Sequence, residues 1–104
     1  MNQDSYKVLI YPTAERDLRE IKDYFENTLQ TSADKLFSKF YKDIELLESF
    51  PFSFPLVRDP YLSSLGYRMI PVDNFLVFYV VKDKEVQIHR FIYGKRNYLN
   101  LLKQ

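Results

Sequence analysis

Residues Tyr67 to Leu102, YRMIPVDNFLVFYVVKDKEVQIHRFIYGKRNYLNLL, decide the fold. The stretch reads as three strands, Tyr67–Val72, Phe75–Val81 and Val86–Tyr93, joined by a turn at Asp73-Asn74 and a polar turn over Lys82–Glu85. FLVFYVV is apolar throughout, which predicts a central strand covered on both faces. A two-residue turn at Asp73-Asn74 sets Arg68 beside Tyr79, and one more loop residue would reverse the faces. Strict alternation on the third strand groups Gln87, His89, Phe91 and Tyr93 on one face and Val86, Ile88, Arg90 and Ile92 on the other. Gly94 can then end the strand in a sharp turn, and Tyr98–Lys103 can add a helical turn.

Upstream, YKVLIY (Tyr6–Tyr11) is a short β-rich run closed by Pro12. Thr13 is placed to cap a helix with Glu15 and Asp17 in its first turn, and Ala14, Leu18, Ile21, Phe25 and Leu29 form its buried stripe. Thr31 or Ser32 can cap a second helix whose apolar positions run from Leu36 through Phe50, with Pro51 as the stop. The short link between them predicts a helix hairpin. Pro51–Pro60, with three prolines and no period, reads as an extended connector. The element order β-α-α-β-β-β is α+β: a helix hairpin on one face of a mainly antiparallel sheet, leaving part of the opposite face for a ligand or partner.

The 104 residues, 46% of them hydrophobic, suit a single domain spanning 1–104. The absence of cysteine excludes a disulfide framework, a thiol nucleophile and cysteine-ligated zinc. No apolar run approaches the roughly 18 residues that span a bilayer, and the start MNQDSYKVLIYP lacks the features of a signal peptide. A cytoplasmic protein without membrane contact is the expectation. Net charge is +1, but acids concentrate in the first half, whereas Lys84, Arg90, Lys95, Arg96 and Lys103 face a single late acid, Glu85. A locally basic end can bind phosphates.

The candidate groups lie at that end. Arg68 suits either a phosphate clamp or a charge on an edge strand. Arg90, among apolar neighbours, calls for an acid on the helix hairpin as its partner. His89, the single histidine, can serve as an acid or base near neutral pH or as a structural ring. Lys95, Arg96 and Tyr98, with Tyr93 before them, offer either an RNA-binding and catalytic cluster or a solvated turn. Gly66 and Gly94 are the only glycines, so no phosphate loop is present, and one histidine without cysteine argues against a metal site or cofactor. Arg, Lys, Tyr and His without metal suit phosphodiester chemistry, in which cations stabilise the charged transition state and a base activates a 2′-hydroxyl.

YKVLIYPTAERDLREIKDYF, YRMIPVDNFLVFYVV and VQIHRFIYGKRNYLNLL together resemble the RelE/ParE superfamily of bacterial type II toxins over nearly the whole chain. The resemblance implies a toxin neutralised by a cognate antitoxin, with DNA reached only through that complex. RelE-like members are ribosome-dependent, metal-free mRNA endonucleases. On that pattern Arg68 and Arg96 match the basic positions opening the hairpin and following the last strand, and Tyr98 lies near the C-terminal catalytic aromatic. Ile70 and Leu76 depart from it, standing where such enzymes carry basic residues. ParE-like members inhibit DNA gyrase without cleavage.

The leading expectation is therefore an mRNA interferase acting on the ribosome and mRNA. Arg68 and Arg96 would hold the phosphate, Tyr98 or His89 would transfer the proton, and Lys95 and Tyr93 would bind RNA. The alternative is a gyrase inhibitor acting through the helix hairpin and C-terminal end. A third reading is a toxin remnant that keeps only its antitoxin partner.

Overall fold

The computed structural model describes residues 5–96 and 98–103; Asn97 and the first four residues quoted in the N-terminal reading lie outside them. The order is β1 (Lys7–Ile10), α1 (Pro12–Asp23) continuing into a π-turn (Tyr24–Thr28), α2 (Asp34–Leu46), α3 (Pro60–Ser64), β2 (Arg68–Val72), β3 (Phe75–Lys82), β4 (Glu85–Tyr93) and α4 (Tyr98–Lys103). The four strands form one sheet in the order β1-β4-β3-β2. β1 runs parallel to β4, and the other pairs are antiparallel. Parallel pairing of β1 needs a crossover, and the helix hairpin supplies it. This is the α+β architecture expected from the sequence.

Two-residue turns close both hairpins. Asp73 (φ 53°) and Asp83 (φ 58°) take the left-handed conformation such turns demand, which Asp tolerates better than most residues. Arg68 consequently pairs with Tyr79, as the short turn required. β3 is central, and Val77, Phe78 and Tyr79 are fully buried. The face under the helices carries Ile70, Val77, Tyr79, Ile88 and Phe91 packed with Ile21, Leu36 and Phe40. The opposite face carries Phe78 and Ile92 under Val57, Leu62 and the α4 residues Leu99, Leu101 and Leu102. Part of the face expected to stay open is thus a second core. It depends on α3, which the connector reading missed although Asp59-Pro60 marks its start: Asp59 accepts the Leu62 N–H at 2.9 Å and Pro60 opens the helix.

Strict alternation fails on β4. Phe78 pairs with Arg90, but Tyr79 pairs with Ile88, so His89 is the extra residue of a β-bulge. Beyond it the faces exchange. Val86, Ile88 and Phe91 all face the helices, while Arg90 and Ile92 lie on the other face. The grouping of Phe91 with Gln87 and His89, and of Arg90 with Ile88, is corrected accordingly.

Three helix boundaries also differ. Tyr11 occupies the cap position of α1 with Pro12 at its first turn, and the Thr13 hydroxyl instead donates to the His89 carbonyl at 2.6 Å. The α1 stripe stops before Leu29, which is 47% exposed, because the π-turn shifts the period there. α2 ends at Leu46 rather than at Pro51; Leu47 is buried but Phe50 is exposed. Ser32 does contribute at the start, accepting the Asp34 N–H at 3.0 Å.

Candidate functional site

Arg68 opens β2 on the helix side, opposite Tyr79. Its Nη1 donates to the Phe54 carbonyl at 2.7 Å, and the guanidinium lies 5.0 Å from the centre of the Phe52 ring. Tyr79 reaches the same segment, donating its hydroxyl to the Pro51 carbonyl at 2.8 Å. Burial lifts the Tyr79 phenol above its ordinary value near 10, so it stays a donor. Arg68 and Tyr79 together bind residues 51–54 to the sheet.

His89 lies in the bulge, on the face away from the helices. The Tyr11 ring stacks on it at 4.7 Å, and Tyr67 meets it edge-on at 5.4 Å. Gln87 Nε2 donates to Glu85 at 3.1 Å, which leaves Gln87 Oε1 to accept from His89 Nε2–H at 3.2 Å. Nδ1 then accepts the Tyr67 hydroxyl at 2.8 Å; this tautomer follows from the network. Burial pushes His89 below its ordinary 6.5 and lifts the Tyr67 phenol above 10, the latter opposed by the Arg90 charge. The histidine rejects a proton and the tyrosine keeps one, so neither is poised to change charge near pH 7.

Arg90 finds the acidic partner its setting demanded. Asp17 on α1 takes Arg90 Nε at 2.7 Å and Nη2 at 3.1 Å, and also accepts the Phe91 N–H at 3.0 Å. β1 ends opposite Ile88, so the edge of β4 beyond it is open to α1. The Asp17 hydrogen bonds hold Arg90 firmly in its charged form.

Tyr93, Lys95 and Arg96 are exposed where β4 ends. Gly94 lies at a close approach there: its N–H donates to the Asn74 carbonyl at 2.8 Å, and a Cβ would stand a tight 3.1 Å from that oxygen. Tyr98 turns away from this rim, packing 5.0 Å from Phe78 in the second core. Tyr93 and Arg96 line a cleft of about 550 Å³ walled by Tyr24, Phe25, Leu29 and Phe75. Sequence reasoning missed Tyr24 and took Leu29 as buried stripe, whereas Phe25 does pack partly buried against the core; the π-turn that bares Tyr24 and Leu29 has no signal in hydrophobic period. It also missed Tyr67 and Tyr11, which join Gln87, the neighbour that alternation had already set on the same face, around His89.

The six candidate residues therefore divide into four places. Tyr93, Lys95 and Arg96 share a rim. Arg68 pairs with Tyr79, four positions along β3 from the Phe75 that pairs with Tyr93, roughly 13 Å away along the strand. His89 and Tyr98 occupy the opposite face in separate surroundings. Among the described residues no group of three or more His, Asp or Glu side chains could hold a metal, and no helix is long and apolar enough to cross a membrane.

Residues 8–98 match the family of the ParE toxin of the type II toxin–antitoxin system parDE, and the chain belongs to that family. No curated protein matches it by sequence. Among solved structures, a chromosomal ParDE toxin–antitoxin system from P. aeruginosa is similar, with TM-score 0.72 at 19% identity over 89% of this chain and 100% of that one. A copper-bound mutant toxin from Helicobacter pylori is also similar, with TM-score 0.55 at 14% identity over 85% and 93% of the two chains. At these identities the likeness concerns the fold.

Proposed function

From membership of the ParE toxin family, we propose that this chain is a toxin held in check by a cognate antitoxin and that it inhibits DNA gyrase by binding rather than cutting mRNA. The scatter of the would-be catalytic groups carries the reading. A nuclease needs its cations, base and acid around one phosphate, within hydrogen-bond reach of the reacting atoms. Here Arg68 anchors a loop, Tyr98 fills a core, His89 is neutral and bonded on both ring nitrogens, and Arg90 is neutralised by Asp17. What remains at the surface is a binding rim: Tyr93 with its polar tip, and the cations Lys95 and Arg96. The apolar Ile70 and Leu76, where RelE-like enzymes are basic, agree with this preference.

The test is purified protein added to gyrase in a plasmid supercoiling assay, beside mapping of mRNA ends after induction in cells. Loss of supercoiling or gyrase-dependent DNA breaks is the expected result. Codon-phased cuts in translated messages with intact supercoiling would return the chain to the mRNA-cleaving reading.

A further inference from the structure

We propose that the outer edge of β1 is the surface on which a second copy of this chain docks, the two β1 strands pairing antiparallel about a two-fold axis through Leu9. The pairing is independent of which target the toxin acts on.

The two edges of the sheet differ. On β2 the outward positions are closed: the Met69 N–H donates to the Pro55 carbonyl at 3.3 Å, and Pro71, the next outward residue, has no N–H. β1 lacks such protection. The Lys7 N–H donates to the Lys84 carbonyl and the Tyr11 N–H to the Ile88 carbonyl, both at 2.9 Å, so the odd-numbered residues turn their main chain toward β4. Val8 and Ile10 therefore turn theirs outward, where no described residue hydrogen-bonds to them. Beside this edge runs a groove of about 390 Å³ against α2, lined by Val8, Ile10, Tyr41 and Ile44 with Glu45 and Glu48.

The open positions are self-complementary. An axis through Leu9 sets Val8 opposite Ile10 of the second copy, and each such pair exchanges both main-chain bonds. Other registers fail. An axis at Val8 brings Ile10 against Tyr6, whose N–H is held by the Glu48 carbonyl at 2.9 Å. An axis at Ile10 brings Val8 against Pro12, which has no N–H.

The side chains agree with the Leu9 register. Leu9 meets Leu9, and Val8 meets Ile10 beside the half-exposed Tyr41. Lys7, the kind of charge that deters edge pairing, falls opposite the ring of Tyr11 rather than a like charge. The groove acids do not oppose one another either. Glu48 lies by Tyr6, three residues from the axis, so the Glu48 residues of the two copies stand roughly 20 Å apart along the strands, beyond the screening length. Glu45 has exposed Lys42 three residues before it on α2. A net charge of +1 leaves little long-range repulsion between copies.

Sedimentation of the purified chain over a range of concentrations tests the pairing, with melting curves as fold controls. A mass rising from one chain toward two is expected, with self-association weakened by about tenfold or more in Val8→Pro and Leu9→Lys. Val8→Pro removes an outward N–H and leaves the β1–β4 bonds in place. If it loses its cooperative melt, Leu9→Lys makes the same test by setting like charges across the axis. The chain has no cysteine, so Leu9→Cys checks the register. Two such residues would face each other as a non-hydrogen-bonded pair within disulfide reach, whereas two Lys7→Cys positions would stand roughly 14 Å apart. Diamide should link the Leu9→Cys chains and not the Lys7→Cys chains. A wild type that stays monomeric, folded variants that associate as the wild type does, or equal cross-linking at both positions would overturn the proposal. A monomer that binds an added alternating Lys–Val peptide, and loses it in Val8→Pro, would assign the edge to a basic partner strand instead.

Discussion

Asp17 and Arg90, 73 residues apart in the chain, form a two-pronged ion pair whose carboxylate also takes the Phe91 N–H just past the bulge. One side chain of α1 thereby satisfies an N–H on the edge of β4 that β1 no longer covers, just past the point at which the faces of β4 exchange. Removing it strands a largely buried guanidinium and a buried N–H together. Asp17→Ala should cost about 3–5 kcal/mol, read from urea denaturation. A loss under about 1 kcal/mol would mean that the bulge does not depend on this carboxylate.

Arg68 should behave as a structural residue. Arg68→Ala removes the bond to the Phe54 carbonyl and the contact over Phe52, and should cost about 1–2 kcal/mol. Proteolytic cleavage within residues 50–57 should accelerate. A variant of unchanged stability that loses all toxicity would assign Arg68 to the target instead.

His89 makes stability sensitive to acid. Its folded pKa lies below the ordinary 6.5, because burial disfavours the charged ring. Below that ordinary value the unfolded chain binds a proton the folded one refuses, so stability falls as pH drops through it toward the folded pKa. Above it the contribution is constant. His89→Gln should flatten the melting temperature between about pH 7.5 and 5.5 relative to wild type. An equal slope in both proteins would place the acid sensitivity elsewhere.

Arg96 is exposed and makes no ion pair with a described residue, so Arg96→Ala should alter stability by less than about 0.5 kcal/mol. It should nevertheless relieve growth inhibition, scored by colony formation after induction. Full toxicity from a normally folded variant would remove Arg96 from the binding rim.

Tyr79 carries its hydroxyl into the core to meet the Pro51 carbonyl. Tyr79→Phe should cost about 1–2 kcal/mol, since it leaves a buried carbonyl without its donor. Chemical denaturation measures this directly, and a neutral outcome would show that the 51–54 segment is held by Arg68 alone.

The sequence alone determined what local periodicity and short-range sterics control. The unbroken apolar run Phe75–Val81 announced the central strand, and the two-residue turn at Asp73-Asn74 set Arg68 against Tyr79. A guanidinium in an apolar strand called for an acid on the helices, and Asp17 is that acid even though the face expected for Arg90 changed. Tertiary structure alone decided the face of every residue beyond His89. The bulge arises where β4 outruns β1 and a carboxylate from α1 takes an N–H that no neighbouring strand can, a meeting of groups far apart in sequence. A single extra residue in a period-two strand reverses all that follow. It therefore sent Phe91 into the core and enclosed His89, and with them decided which groups stayed exposed at the rim.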